Sequence, residues 1–233
     1  MKAGPRADLV IPTIGRPSLR ELLAALAVGR GALPGRVVLV DDRRDPEGPL
    51  LPEGVPLRLA NRIEILRGPV AGPAAARNVG WRSSGAEWIV FLDDDVIPDP
   101  DWPARLLEDL GGSCSEVGAN GGRLRVPVPK DRRPTDWERN VKGLETARWI
   151  TADMAYRRSV LEELDGFDER FPRAYREDAD LGLRAIAAGY RIERGRRSVA
   201  HPVRPADRFV SVRLQAGNAD DVLMRALHGP GWR

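Results

Sequence analysis

Short apolar runs alternate with helical patterns through the first half of the chain. Four of these runs, residues 8–11, 37–40, 62–66 and 87–92, are bounded by turn residues or acids and are predicted to be buried strands. Between the first two, residues 19–28 repeat leucine and alanine at helical spacing. A helix between two buried strands forms a βαβ unit, which predicts a parallel sheet.

Single proline, serine and glycine residues indicate where some of these elements begin and end. Pro12 is expected to end the first strand, and Ser18 is expected to cap the first helix. The pattern in the rest of the chain is less regular. This pattern predicts helices over residues 74–83, 102–110, 159–164, 178–188 and 219–227, and strands over residues 117–126, 148–156, 190–192 and 198–200. Gly189 is expected to end the helix over residues 178–188.

The length of 233 residues suits one α/β domain, and no glycine- and serine-rich linker divides the chain. We expect a single α/β domain over residues 1–202, with a mostly parallel central sheet flanked by helices. Residues 203–233 are expected to form a partly helical C-terminal extension.

Charge and composition narrow the classes of partner and compartment. The net charge is +3, without a basic stripe interleaved with aromatics, which argues against a nucleic-acid partner. Peripheral contact with an anionic membrane and homodimer formation stay open. A single cysteine, Cys114, rules out an intramolecular disulfide. We expect a cytoplasmic protein, because neither a signal-peptide pattern nor an apolar stretch of membrane-spanning length is evident.

Acidic residues end two of the predicted parallel strands. Asp41 and Asp42 follow the second strand, and Asp93, Asp94 and Asp95 follow the fourth. Ligands of open α/β sheets bind beyond the carboxyl ends of the strands, so these five acids are expected to share one crevice. Three adjacent carboxylates repel one another, and the alternatives are a solvated acidic loop and a site for a hard cation such as Mg²⁺ or Mn²⁺.

Three further features have both a structural and a functional interpretation. Glu177 and Asp178 begin a predicted helix, where acids offset the helix dipole even without a chemical role. His201 is an ordinary surface or core histidine, or a metal ligand that complements the carboxylates. Arg77 is an exposed helix residue, or a contact for phosphate or sugar after the preceding Gly/Pro loop.

Several segments, taken in order, resemble a family 2 glycosyltransferase of the GT-A fold from residue 8 to residue 202. The segments are Val10-Ile11-Pro12-Thr13, Val38-Leu39-Val40-Asp41-Asp42, Ala74-Ala75-Ala76-Arg77-Asn78-Val79-Gly80, Phe91-Leu92-Asp93-Asp94-Asp95, Gly166-Phe167-Asp168-Glu169 and Glu177-Asp178-Ala179-Asp180-Leu181. Each motif is weak alone, and their order and spacing together are specific. The resemblance implies transfer of a sugar from a nucleotide-diphosphate sugar to an unknown acceptor hydroxyl, with Mn²⁺ or Mg²⁺ as cofactor.

The resemblance also implies roles for individual residues. Thr13, Asp41, Asp42, Arg77 and Asp93 would bind the nucleotide. Asp95, with Asp93 and His201, would hold the metal. Asp178 would be the general base that deprotonates the acceptor, with inversion at the sugar carbon. Glu177 and Asp153 would lie on the acceptor side.

The chain departs from the family pattern after the second strand, where Asp45 follows two arginines, and in the loop over residues 68–73, which lacks an asparagine often found there. Both departures leave the choice of nucleotide open. Alternative functions are a nucleotidyltransferase of similar fold, a phosphatase with an aspartate nucleophile, and a non-catalytic nucleotide-sugar-binding module. A nucleotidyltransferase would have a Gly-rich loop with Arg and Lys after the first strand, and this chain lacks it. A phosphatase would carry its aspartate motif on the first strand, whereas three strands precede the Asp93 motif here.

Overall fold

The computed structural model describes residues 4–51, 54–206, 210 and 215–232. The strands are β1 (Ala7–Thr13), β2 (Val37–Asp41), β3 (Ile63–Arg67), β4 (Trp88–Leu92), β5 (Ile97–Pro98), β6 (Val117–Arg125), β7 (Asp153–Arg157) and β8 (Arg191–Ala200). The α-helices are α1 (Ser18–Val28), α2 (Leu57–Ala60), α3 (Pro73–Arg82), α4 (Trp102–Gly111), α5 (Asp136–Lys142), α6 (Arg158–Glu163), α7 (Glu177–Ala187) and α8 (Asn218–His228). Short 3₁₀ turns cover Gly143–Glu145 and Gln215–Gly217.

The strands form one sheet in the order β3-β2-β1-β4-β7-β6-β8-β5. Strands β3, β2, β1 and β4 are parallel, as are β6 and β8, whereas β7 runs antiparallel to both of its neighbours. The prediction of an α/β domain with a mostly parallel sheet flanked by helices is confirmed. Because β7 is antiparallel to β4, the start of β7 lies beside the end of β4, with Asp153 opposite Leu92.

Both faces of the central strands are buried, since successive side chains of a strand point to opposite faces. Leu9 and Leu39 pack on one face with the leucines of α1, and Val10 and Val40 pack on the other with α3. A Cβ at Gly80 would lie 2.3 Å from Cγ1 of Val10, so only glycine lets α3 approach this closely. Near-continuous apolar strands are typical of sheets covered on both sides.

Two expectations about the first βαβ unit are wrong. Pro12 does not end β1; it pairs with Val40 of β2. The pairing of β1 with β4 stops at Val10, so the missing N–H of proline costs no ladder bond on that side. Ser18 lies inside α1, where Pro17 holds the N-cap position and the Ser18 hydroxyl is buried without a hydrogen-bond partner.

The C-terminal part of the sheet also differs from the prediction. The short strands expected over residues 190–192 and 198–200 are one strand, β8, which lies between β6 and β5. The predicted strand over 148–156 begins only at Asp153. Helix α5 was missed, although Thr135 and Glu138 form a capping box that is visible in the sequence.

The last helix, α8, is bound to the segment that leads into α7. Asp220 accepts from Arg173 at 3.0 Å, Asp221 accepts from Arg176 at 2.7 Å, and His228 lies 2.7 Å from Asp180. These pairs hold α8 against the first turn of α7. In the described part of the chain, each helix is too short or too polar to traverse a lipid bilayer.

Candidate functional site

The strand ends bring most of the predicted site residues to one edge of the sheet. Thr13 of β1 pairs in register with Asp41 of β2, and the acids after β4 follow beside them. Asp153 at the start of β7 lies at the same edge. Helix α7 reaches this edge as well, because Arg77 of α3 bridges its first residue to Asp93.

Arg77 is the electrostatic centre of the site. Its side chain is 2% exposed; Nη1 donates to Glu177 at 2.8 Å and Nη2 donates to Asp93 at 2.8 Å. The guanidinium also lies over the Phe167 ring, 5.5 Å from its centroid. The residue expected to contact the nucleotide is therefore placed inside the fold, where it offsets two carboxylates.

Asp94 is directed to Thr13 at the end of β1 and to Arg16 in the loop that follows. It is 2% exposed and accepts from the Thr13 hydroxyl at 2.6 Å and from Arg16 at 2.7 Å. The Thr13 hydroxyl is therefore engaged by Asp94, and the loop after β1 is fastened to the acids after β4.

Asp41 and Asp42 have different surroundings despite being adjacent. Asp41 accepts from Nε and Nη2 of Arg43 at 2.8 and 2.7 Å, and this pairing lowers the pKa of Asp41. Asp42 accepts from the backbone N–H groups of Val70 and Gly72 at 2.6 and 3.3 Å. Asp42 thus orders the loop before α3, whereas Asp41 lies at the end of β2 beside a guanidinium.

Asp95 and His201 form the part of the site best suited to a cation. Asp95 Oδ1 lies 3.5 Å from His201 Nε2, and Asp95 Oδ2 lies 3.1 Å from Arg204 Nε. Burial raises the pKa of Asp95, and the charge of Asp93 acts in the same direction. The buried Nδ1 of His201 has no hydrogen-bond partner.

The donor set fits a metal whose coordination is completed by substrate. Among the described residues, no group of three or more His, Cys, Asp or Glu side chains is arranged to hold a metal ion. Mg²⁺ and related ions are commonly bound by one or two carboxylates together with substrate phosphates and water. Asp95 and His201 supply one carboxylate and one imidazole, which is consistent with that mode of binding.

Asp178 lies in the first turn of α7, next to the buried Glu177. Its carboxylate accepts a hydrogen bond from the backbone N–H of Ala179 at 2.7 Å, and the backbone N–H of Thr151 acts to lower its pKa. Burial raises the pKa of Asp178, while the positive charge of Arg77 opposes that rise. A carboxylate with a raised pKa at a sheet edge has the properties of a general base.

Glu177 holds its proton more tightly than an ordinary glutamate. Burial raises its pKa to about 7, with the charge of Asp178 acting in the same direction and Arg77 opposing it. Glu177 Oε1 is bonded to Arg77, and the buried Oε2 has no partner. Glu177 and Asp178 are thus two adjacent acids whose protonation is linked.

The raised pKa of Glu177 predicts that the effect of Glu177→Gln on the free energy of unfolding depends on pH. The folded-state pKa of about 7 exceeds the ordinary value of 4.5, so the stabilisation from the bound proton is complete below pH 4.5. It is lost as the pH rises through 7. The unfolding free energy of the wild type, relative to the variant, should therefore fall by roughly 3 kcal/mol from pH 4.5 to about 8.

Urea unfolding across that pH range measures the difference. Glu138→Gln is the control, because Arg132 lowers the pKa of Glu138 to about 2, so its charge in the folded protein does not change across this range. The prediction would be contradicted if the difference in unfolding free energy between the wild type and Glu177→Gln did not change with pH.

Asp153 and Arg197 form a buried pair that the sequence did not reveal. Asp153 accepts from Arg197 Nε at 2.7 Å and from Trp102 Nε1 at 2.6 Å. Arg197 is fully buried and also donates to the backbone carbonyl of Asn120 at 2.7 Å. Both Asp153 oxygens are thereby engaged in joining β7, β8 and α4.

Comparison with protein families gives one matching family model. The model described as glycosyl transferase family 2 matches residues 8–165.

Curated relatives match parts of the chain. The O-antigen biosynthesis protein RfbC of Myxococcus xanthus is 26% identical over 227 residues, which cover 82% of this chain and 17% of that protein. The succinoglycan biosynthesis protein ExoM of Rhizobium meliloti (strain 1021) is 33% identical over 136 residues, covering 56% and 43% of the two chains. The chain thus spans less than half the length of these relatives.

Solved structures share the fold at low sequence identity. The mannosyltransferase PcManGT of Pyrobaculum calidifontis, in complex with GDP-Man and Mn²⁺, has a TM-score of 0.64 and 20% identity, over 95% of this chain and 65% of that chain. GalNAc-T7, with UDP, GalNAc and Mn²⁺, has a TM-score of 0.66 and 16% identity, over 88% and 45%. These likenesses establish a common fold.

Proposed function

Since the chain belongs to glycosyl transferase family 2, we propose that it transfers a sugar from a nucleoside-diphosphate sugar to an acceptor hydroxyl, with inversion and with a divalent metal. The observation that carries the proposal is the separation of two acidic groups across Arg77. Asp93 and Asp95 lie on the side of β4, and Glu177 with Asp178 lies on α7. One group suits the leaving diphosphate, and the other suits the incoming hydroxyl.

Asp95 and His201 are the residues that would hold the metal. A divalent ion bound there would neutralise the charge that develops on the departing diphosphate. Asp93 is directed to Arg77, so its proposed contribution is to the charge of the site and to the ribose side. The structures of similar fold solved with Mn²⁺ and GDP-Man or UDP support a metal and a nucleotide-sugar donor.

The nucleoside end of the donor is proposed to lie over β1 and β2, beside Thr13 and Asp41. Asp42 fixes the neighbouring loop by accepting hydrogen bonds from the backbone N–H groups of Val70 and Gly72. Loops at strand ends fixed by such bonds are preorganised before the ligand binds.

Asp178 is proposed to accept the proton of the acceptor hydroxyl as the new glycosidic bond forms. The oxygen attacks the anomeric carbon, the bond from that carbon to the diphosphate breaks, and the bonding electrons leave with the diphosphate. One base on the face opposite the leaving group gives inversion. The raised pKa of Asp178 suits this role, because efficient bases have pKa values nearer the working pH.

Thermal-shift measurements with UDP-, GDP-, ADP- and dTDP-sugars, each with and without Mn²⁺, test the donor and metal together. We expect one nucleotide class to raise the melting temperature in a Mn²⁺-dependent manner, since a ligand that binds only the folded state stabilises it by mass action. Asp95→Asn should weaken the Mn²⁺-dependent binding by at least about tenfold, since it removes one anionic ligand.

Asp101→Asn is the matched control, because Asp101 is a half-exposed acid six residues further on that pairs with Arg105. It should leave the shift unchanged. Equal Mn²⁺-dependent shifts in the wild type and in Asp95→Asn would refute the metal role. A wild type that neither binds nor hydrolyses a nucleotide sugar would refute the proposed function and favour a non-catalytic protein.

A further inference from the structure

A cavity of about 150 Å³ opens at the active edge of the sheet, on the side of β4 away from β1 and β2. Its floor is formed by Gly121 of β6, Met154 of β7 and Ile192 of β8. The segment over residues 144–150 forms the remaining wall. The cavity and the proposed nucleotide site therefore lie on opposite sides of the acids that follow β4.

Trp149 in the cavity wall adopts a strained backbone conformation. Its φ is +61°, a region that bulky residues rarely occupy. Its ring lies against α7, since a Cβ at Gly182 would be 2.7 Å from Cγ of the indole. Strained conformations of this kind cluster at active sites and ligand-binding sites.

The cavity wall is connected directly to the proposed base. Gly182, which contacts the Trp149 ring, is one helical turn beyond Asp178 on α7. The backbone N–H of Thr151, two residues after Trp149, favours the charged form of the Asp178 carboxyl and so lowers its pKa. The cavity wall and the proposed base are therefore neighbours along α7, through the contact of the Trp149 ring with Gly182.

The chemistry of the cavity indicates the kind of molecule that it accepts. One part of its lining is apolar, with Trp149, Leu144 and Met154, and its margin carries both signs of charge, including Glu193 and Arg194. Charges of both signs favour a ligand with many hydrogen-bonding groups over one with a strong net charge. A pyranose ring has an apolar C–H face and a rim of hydroxyls, and a cavity of this volume admits one six-membered ring.

We propose that this cavity binds a single pyranose ring of the acceptor, with one face on Trp149 and one hydroxyl directed to Asp178. The acceptor of the proposed reaction is then itself a saccharide or a glycoside. This inference rests on the proposed function, in which the sugar is transferred from the donor to the bound ring. The binding of the ring is a property of the cavity and is measurable without the donor.

Saturation-transfer difference NMR with methyl pyranosides of glucose, galactose, mannose and N-acetylglucosamine tests the proposal, with phenol as an apolar ring of similar size. The wild type should bind at least one pyranoside. Leu144→Trp should fill the cavity and weaken that binding at least tenfold. Leu57→Trp, the same change at a leucine that is 94% exposed and does not line the cavity, should have no effect.

Trp149→Gly provides a second variant that removes the ring instead of adding volume. Glycine adopts a positive φ without strain, so the relief of strain offsets part of the stability that is lost with the packing of the indole. It should also weaken pyranoside binding at least tenfold. Circular dichroism and the donor-induced thermal shift identify folded protein, and the comparison is made with whichever variant retains both.

Donor hydrolysis with Mn²⁺ separates the two proposals. Leu144→Trp should hydrolyse the donor within about twofold of the wild-type rate while losing transfer to the pyranoside. Unchanged pyranoside binding in a folded cavity variant, binding of phenol alone, or no pyranoside binding by the wild type would overturn the acceptor site. Absence of donor binding and hydrolysis in the wild type would instead overturn the proposed function.

Discussion

Asp178→Asn is expected to lower the turnover number for sugar transfer by about 10²–10⁴-fold while the affinity for the donor stays close to that of the wild type. Positioned bases contribute a rate factor of this size, and an amide cannot accept the proton. Asparagine retains an oxygen for the N–H group of Ala179, so the turn should keep its shape. Steady-state kinetics and donor titration measure the two quantities separately.

Asp180→Asn is the matched control, two residues along the same helix. The Asp180 carboxylate is bonded to Arg184 and His228, away from the proposed chemistry. This variant should lose stability and retain a turnover number within a few-fold of the wild type. A turnover number for Asp178→Asn that matches the wild type would refute the role of Asp178 as the base.

Arg77→Met is expected to reduce the free energy of unfolding by about 3–5 kcal/mol at neutral pH. The variant leaves Asp93 and the buried Glu177 without their shared cation, and an uncompensated buried charge is costly. Part of the loss should be recovered in acid, because protonation of the carboxyl groups removes their charge.

Arg82→Met on the same helix is the control. Arg82 is 45% exposed and pairs with Asp165 at the surface, so its loss should cost no more than about 1 kcal/mol. Urea unfolding of the two variants at pH 5 and pH 7.5 compares them. Equal losses for Arg77→Met and Arg82→Met would show that the buried bridge has no special importance.

The parallel half of the fold could be predicted from the sequence because its signals are local. Residues 8–11, 37–40 and 87–92 are apolar runs, and acids follow two of them, so both the strands and the edge where their ends meet are visible in the chain. The prediction failed at Pro12, where a local rule about proline did not account for the early end of the neighbouring strand β4.

The rest of the site depends on contacts that local patterns do not contain. Arg77 and Glu177 are 100 residues apart, and Arg197 and Asp153 are 44 apart, yet each pair is buried. A charged stretch such as residues 191–197 resembles an exposed loop, and only its partners across the sheet make it a strand. The direction in which Asp42 and Asp94 point is likewise decided by neighbours distant in sequence.

The ion pairs of Arg77 with Asp93 and Glu177 also limit where the chain can be divided. The segment matched by the family model ends at residue 165, so it includes Arg77 and Asp95 and excludes Asp178 and His201. A fragment trimmed to that boundary would keep the proposed nucleotide site and leave one arm of the Arg77 guanidinium without Glu177. Helix α8 extends the same dependence almost to the C-terminus, through its ion pairs to the turn that carries Asp178. The two halves of the site are therefore not modules that can be exchanged independently: a chimera should join its parents outside residues 8–228.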